Sequence, residues 1–417
     1  MSHGKRLRHT LHQVVFPARS SNFLPANQVT LLQNGEAYFS AIEAAFERAR
    51  HEIYLETYIY ENDATGRRIA DALKRAALRG VHVYVLIDGY GSKDLPSSML
   101  DYLRADGVNA LVFRPKISPW TFRRVRLRRM HRKIAVVDRE IAFVGGINII
   151  DDRSSAGDLS ERYDYAVAVE GALVEVIRLS ARRLWSLVAW SRFRKGTVRG
   201  GALPVSTFAG GQLSAAFLVR DNFRHRREIE AAYMRAIEQA QSEIILAHAY
   251  FLPGLDFRHA LVDAAGRGVR VVLLLQGRVE YVLQHYASRA LYGTLLDAGI
   301  EIYEYSKGFL HAKVAVIDGR WATVGSSNLD PFSLLLSREA NVVVDDKAFG
   351  AALTQSLKLT METDSLRIFS ESWIQQPAGL RFMSWLCYGL LRCMMGISGY
   401  SRENNRTRKE RTSAFGK

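Results

Sequence analysis

His131 and Lys133, one residue apart, are followed by Asp138 and then by Gly145, Gly146 and Asn148. The same types recur at His311, Lys313, Asp318, Gly325, Ser326 and Asn328, and every matching pair stands at the same offset along the chain. Both copies read H-x-K-x4-D-x6-G-[GS]-x-N. One H-x-K carries almost no information, but core packing does not duplicate so polar a set at fixed spacing. Imidazole titrates near neutrality, so it can attack phosphorus as the neutral base or hand over a proton as the cation. Two such rings in one site meet the needs of phosphodiester exchange. One forms a phosphohistidine, while the other protonates the leaving alkoxide and then deprotonates the incoming hydroxyl. The pair must hold one proton between them and titrate as a unit. Lys133, Lys313, Asn148 and Asn328 supply donors for the non-bridging oxygens, whose charge grows in the transition state. The scheme needs no metal and no cofactor, and no G-x-x-x-x-G-K-[ST] nucleotide loop is present.

Taken whole, the motifs give a candidate catalytic set of His131, Lys133, Asp138, His311, Lys313 and Asp318. For Asp138 and Asp318, which precede Arg139 and Gly319 at strand-to-turn positions, a structural turn or ion-pair role is favoured over direct chemistry. Each histidine needs an acceptor on its second nitrogen to fix tautomer and orientation. One candidate follows each motif: Asp164 ahead of the apolar run Ala166–Val169, and Glu339 ahead of Asn341–Val344. Strand residues i and i+2 share a face, which predicts that His131 with Lys133, and His311 with Lys313, point into one cleft. Glu56 and His248, on the strands expected at Ile53–Tyr60 and Ile244–Tyr250, are weaker pocket candidates, a buried and satisfied role being equally open.

The elements that must position these residues repeat as well. Glu52-Ile53-Tyr54-Leu55 parallels Glu243-Ile244-Ile245-Leu246, and Arg79-Gly80-Val81 parallels Arg267-Gly268-Val269. Each half reads as helix, buried strand, helix ending at a glycine, buried strand, helix, strand and then the motif. In the first half this predicts helices near Ala37–Arg50 and Gly66–Arg79 and strands over Ile53–Tyr60 and Val81–Ile87. The expected fold class is α/β, two similar lobes from an internal duplication with the site at their interface. The expected division is a basic N-terminal segment 1–27, a first lobe 28–200, a linker 201–213, a second lobe 214–370 and a tail 371–417 that is apolar and then basic.

With 417 residues and nearly half of them apolar, the chain can bury a large core without cross-links. Its two cysteines, Cys387 and Cys393, form neither a disulfide framework nor a metal site, are read as small packing residues, and point to a reducing compartment. Lys5, Arg6 and Arg8 are not followed by an apolar run, so no signal peptide is expected. The net charge of +15 calls for an anionic partner, nucleic acid or an acidic membrane surface.

Beyond the two motifs, Leu31-Leu32-Gln33-Asn34-Gly35, Leu55-Glu56-Thr57-Tyr58-Ile59-Tyr60, Asp88-Gly89-Tyr90-Gly91-Ser92, Ala249-Tyr250-Phe251-Leu252-Pro253 and Val324 to Pro331 carry a resemblance. Over roughly residues 28–370 the chain resembles the phospholipase D superfamily, and within it the bacterial cardiolipin synthases of the B type, which lack N-terminal transmembrane helices. The resemblance implies two α/β lobes with a shared site and a phosphohistidine mechanism. It places His131, Lys133, Asn148, His311, Lys313 and Asn328 in that site, with Asp164 and Glu339 behind the histidines. It further implies His131 as nucleophile and His311 as acid/base, an assignment the symmetry of the pair leaves reversible. The implied reaction moves a phosphatidyl group from one phosphatidylglycerol to another, releasing glycerol.

Two segments favour lipid over nucleic acid. Arg114 to Met130 is rich in arginine, has no acid, and carries Trp120 and Phe122, the mixture suited to an anionic headgroup layer. Leu380 to Tyr400 is apolar and aromatic, interrupted by Arg381 and Arg392, and reads as an interfacial helix rather than a span. The expected partners are an anionic phospholipid membrane and phosphatidylglycerol, with no nucleic acid. The expected location is the cytoplasmic side of the cell membrane, peripheral or interfacial. A hydrolytic phospholipase D, a phosphodiesterase or nuclease, and a catalytically inert scaffold are the alternatives. The first differs only in letting water resolve the intermediate, and the last is disfavoured because both motifs are intact.

Overall fold

The computed structural model describes residues 23–115, 128–151, 162–192, 210–221, 225–330 and 337–397. Most of the arginine-rich segment, most of the linker, most of the N-terminal basic segment and the basic tail lie outside the described residues.

The first half follows the expected order. A helix at Asn34–Arg48 leads to a strand at Glu52–Thr57, a helix at Ala64–Leu78 and a strand at His82–Asp88. The second half repeats this with Glu228–Gln239, Glu243–His248, Leu255–Gly266 and Arg270–Gln276. Asp63 caps the Ala64–Leu78 helix by accepting from Gly66 N at 2.7 Å. Gly80 and Gly268 end the two corresponding helices with φ of 91° and 88°, a left-handed turn that any Cβ would oppose.

Among the described residues a single sheet of sixteen strands runs through both halves, fifteen in one path and Arg129–Met130 beside it on Ser337–Asp345. From the second-half edge its order is Ser365–Ile368, Glu301–Tyr305, Arg270–Gln276, Glu243–His248, Lys313–Ile317, Trp321–Gly325, Ser337–Asp345 and Leu213–Arg220. It continues through Leu24–Gln33, Tyr165–Gly171, Ile141–Gly145, Ile134–Val137, Glu52–Thr57, His82–Asp88 and Asn109–Phe113. The strand that opens each half is absent from the expected order. These two, Leu24–Gln33 and Leu213–Arg220, pair antiparallel and stitch the halves together. The first lobe therefore starts before residue 28, and the end of the expected linker is already sheet.

Buried residues fall into three groups. One packs the first half under its helices and one the second half. The third draws Val136, Val144 and Val167 from the first half, Val314, Val324 and Val342 from the second, and the helices Ala172–Ser191 and Lys347–Thr363. The halves thus share a core, which fixes them as one body across the site.

One further residue, Cys393, departs from expectation. Cys387 is buried but Cys393 is exposed, so only the former packs. The C-terminal helix runs Ala378–Ile397, and no helix among the described residues is long and apolar enough to cross a membrane.

Candidate active site

The chain reaches each histidine by crossing to the other half. Arg129–Met130 pairs in parallel with Ser337–Arg338, and Phe309–Leu310 pairs in parallel with Arg162–Tyr163. His131 N donates to Arg338 O at 2.9 Å, and His311 N donates to Tyr163 O at 2.8 Å. The residue before each histidine is anchored from its own half. Met130 N donates to Asp88 Oδ2 at 2.7 Å, and Leu310 N donates to Gln276 Oε1 at 3.1 Å. Each histidine backbone is thus held from two sides by different lobes.

This crossing corrects the expectation that H-x-K lies within a strand. His131–Lys133 precedes the strand Ile134–Val137, and in the second motif only Lys313 is a strand residue. The lysines turn back towards the histidines instead: Lys133 Nζ donates to His131 O at 2.9 Å, and Lys313 Nζ donates to His311 O.

The side-chain partners cross over too. His131 Nδ1 lies 3.1 Å from Glu339 Oε2 and 3.2 Å from Ser326 O, and His311 Nδ1 lies 2.6 Å from Asp164 Oδ2. The carboxylate facing each ring comes from the opposite half, which leaves Nε2, on the far edge of each ring, for chemistry. The two braces differ. A Cβ on Gly146 would stand 2.4 Å from the Asp164 carboxylate, so that position has no side chain. At the equivalent position of the second motif, Ser326 Oγ donates to Glu339 Oε2 at 2.6 Å.

Electrostatics joins the four motif residues into one site. Burial, reinforced by Lys313, pushes Lys133 down to about 7. Burial also lowers Lys313, against the opposing pull of Asp164 3.6 Å away. Burial takes both histidines below the ordinary imidazole value; nearby cations, Lys313 first, deepen the effect at His311, while Glu339 offsets it at His131. Asp164 is raised by burial to about 6. A dense, enclosed positive site of this kind awaits an anion. Asn148 and Asn328 are both buried. Asn148 Oδ1 accepts from Ile59 N at 3.2 Å, leaving its amino group to donate, and Asn328 Oδ1 has no partner among the described residues.

Asp138 and Asp318, counted with the motifs in the candidate catalytic set, lie away from the histidines in the structural turn role favoured for them. At ~3.3 Å per strand residue, Asp138 stands about 16 Å along the chain from Lys133. Its carboxylate accepts from Arg50 N, His51 N and Glu52 N at 2.9, 2.9 and 2.7 Å. Asp318 does the same for Gln241 N, Ser242 N and Glu243 N. Both take positive φ, 53° and 52°, to aim these clamps. Glu56 and His248 are enclosed. Glu56 pairs with Arg132 at 2.8 Å, and His248 lies 3.4 Å from Tyr233 on the outer side of the sheet, driven by burial down to about 3.

The sequence reading missed Tyr58, whose ring meets His131 edge-on at 4.6 Å and lies 5.2 Å from Lys133 Nζ. It also missed Asp88 and Gln276, and it placed Ser326 in the motif without the contact to Glu339. Tyr58 and Asp88 lie inside stretches that carried the family resemblance, which is where a signal was available.

A family described as "Cardiolipin synthase, PLD-like domain" matches residues 42–185 and 233–361, one segment per half. Cardiolipin synthase B of Escherichia coli K12 is 40% identical over 351 residues, 82% of each chain. A cardiolipin synthase of Geobacillus thermodenitrificans is 35% identical, covering 76% of this chain and 62% of that protein. Among solved structures, a phosphatidylserine synthase of Haemophilus influenzae superposes with a TM-score of 0.65 over 90% of this chain and 95% of its own at 16% identity, which speaks to fold alone.

Proposed function

Because the chain belongs to the PLD-like cardiolipin synthase family, within the phospholipase D superfamily, we propose that it is a phosphatidyltransferase that makes cardiolipin from two phosphatidylglycerols and releases glycerol. The observation that carries the reading is the crossed bracing of the histidines: each ring is held at Nδ1 by the other half's carboxylate, so neither half can react alone.

The donor phosphodiester enters between Lys133 and Lys313, with Asn148 and Asn328 donating to its non-bridging oxygens. Neutral His131 attacks phosphorus through Nε2, and Glu339 stabilises the cation that forms at Nδ1–H. Protonated His311, stabilised by Asp164, gives its proton to the departing glycerol oxygen. Now neutral, His311 accepts the proton of the incoming hydroxyl as its oxygen bonds phosphorus and the phosphorus–nitrogen bond breaks. One phosphodiester replaces another, so no nucleotide is required.

The membrane partner is part of the same proposal. The helix Ala378–Ile397 packs against the helix Val282–Arg289 and buries Cys387 and Leu391. Its other face leaves Phe382, Trp385, Leu386 and Leu390 more than half exposed. Arg381 and Arg392 on this helix suit an anionic headgroup layer, and the protein docks there peripherally.

The test incubates the protein with phosphatidylglycerol vesicles in EDTA and follows cardiolipin, glycerol and phosphatidic acid together. Cardiolipin and glycerol in equal amounts are expected. Phosphatidic acid without cardiolipin would make the protein a hydrolase, and cleavage of nucleic acid without lipid turnover would make it a nuclease.

A further inference from the structure

The two halves of the site mouth are not copies. Tyr60 and Phe251 make corresponding bridges to Ile149 and Leu329, so Tyr250 stands where the first half has Ile59. Asp88 and Gln276 hold corresponding positions before the two histidines, so Glu280 stands where the first half has Ser92. In the first half Ser92 is consumed by backbone, donating to Tyr58 O and accepting from Tyr60 N. The second half instead gathers ionisable and hydroxyl groups. Tyr250 OH donates to Glu280 Oε2 at 2.5 Å, and Arg162 lies 3.7 Å from Glu280 Oε1. Tyr281, half exposed, sets its ring edge against Tyr250 at 5.8 Å.

This cluster borders the His311 side of the site. Arg162 pairs with Phe309, two residues before His311, and the Glu280 charge is near enough to favour the ammonium of Lys313. Arg162 Nε is buried with no hydrogen-bond partner among the described residues. A carboxylate here is a poor neighbour for a phosphodiester and a good one for a neutral polyol, whose hydroxyls both donate and accept. The first-half side offers the opposite chemistry, Arg129 over the Tyr90 ring at 4.2 Å.

We propose that Glu280, Tyr250 and Arg162 form the alcohol subsite, which holds the hydroxyls of the departing glycerol and then of the incoming polyol headgroup against His311. The inference rests on the phosphatidyltransferase reading and adds what selects the acceptor. In the second step the polyol oxygen bonds phosphorus, the bond to His131 breaks with its electron pair returning to the ring, and the polyol proton passes to His311. Glu280 orients the hydroxyl next to the reacting one and takes no proton.

Acceptor choice is read as a ratio, which is independent of how fast the intermediate forms. Phosphatidylglycerol vesicles are given equal concentrations of deuterated glycerol and ethanol, and labelled phosphatidylglycerol and phosphatidylethanol are measured by mass spectrometry. The wild type should favour glycerol. Glu280→Gln and Tyr250→Phe should each lower the glycerol-to-ethanol ratio about tenfold, the effect of one lost hydrogen bond to a charged group. If the cluster merely braces the loop, both products fall together and the ratio stays put; an unchanged ratio in both variants overturns the inference and leaves the transferase reading intact. A wild type that forms neither product removes both.

Discussion

At the residue scale the proposed mechanism depends on a proton shared between the two histidines. Burial lowers both imidazoles from their ordinary value, so the acid limb of kcat/KM, where His131 becomes protonated, should lie below that of a free imidazole, while the anionic phosphodiester and Asp164 favour the proton that His311 must carry. Lys133, at about 7, loses its charge as pH rises, so kcat/KM should decline through about pH 7. Bound phosphate favours the ammonium, which should carry the corresponding limb of kcat upward. A kcat/KM that stays flat to about pH 9 would contradict that position for Lys133. His131→Ala and His311→Ala should each abolish turnover, since each ring performs a step the other cannot. Gly146→Ala is the sharper probe: its methyl must displace Asp164, so kcat should drop by about a hundredfold, the scale of losing a positioned proton-transfer group. Unaltered kcat would mean the carboxylate is not needed where it lies. The histidines, lysines and asparagines were legible because they occur twice at one spacing. Asp88 and Gln276 were not, because each acts through a contact with no repeat chemistry to flag it.

At the element scale, the helix and strand order could be read from periodicity, whereas the joints between elements could not. The short strands at Arg129–Met130 and Phe309–Leu310 have no pattern of their own and exist because each pairs with the other half. Without them, sequence logic assigns Asp164 and Glu339 to the right task but says nothing of which histidine each faces. The aspartates of the motifs were legible as turn residues, and the clamps give that a measurable form. Asp138 is 4% exposed and accepts from three backbone N–H groups. Asp138→Ala should cost about 3 kcal/mol in urea unfolding. Asp318→Ala, whose clamp is more exposed to water, should cost roughly half as much. Equal losses, or a loss of turnover with no loss of stability, would return these residues to the chemistry.

At the scale of the whole molecule, one sheet and one shared core hold the crossed histidines in register, and the helix Ala378–Ile397 lies on the second half of that body with an apolar face exposed. The helix Ala378–Ile397 docks on Val282–Arg289, and just ahead of that helix stands Tyr281 at the edge of the proposed alcohol subsite. Tyr281, Val282, Phe382 and Leu386 are all more than half exposed. A helix face of this kind is stable in water only at a cost, and burial in the headgroup region relieves it at roughly 25 cal/mol per Å². Docking through this face would bring the cleft to the lipid surface without any substrate leaving the bilayer. Because these side chains are exposed, Phe382→Ser with Leu386→Ser should leave thermal unfolding unchanged. Their effect should appear in sedimentation with phosphatidylglycerol vesicles, as at least about a tenfold loss of partitioning. Turnover should fall on vesicles but recover on short-chain phosphatidylglycerol below its critical micelle concentration, where no surface has to be found. Equal losses on dispersed and vesicular substrate would show that the helix supports the second half's core instead, and undiminished vesicle binding would assign the membrane contact to another face.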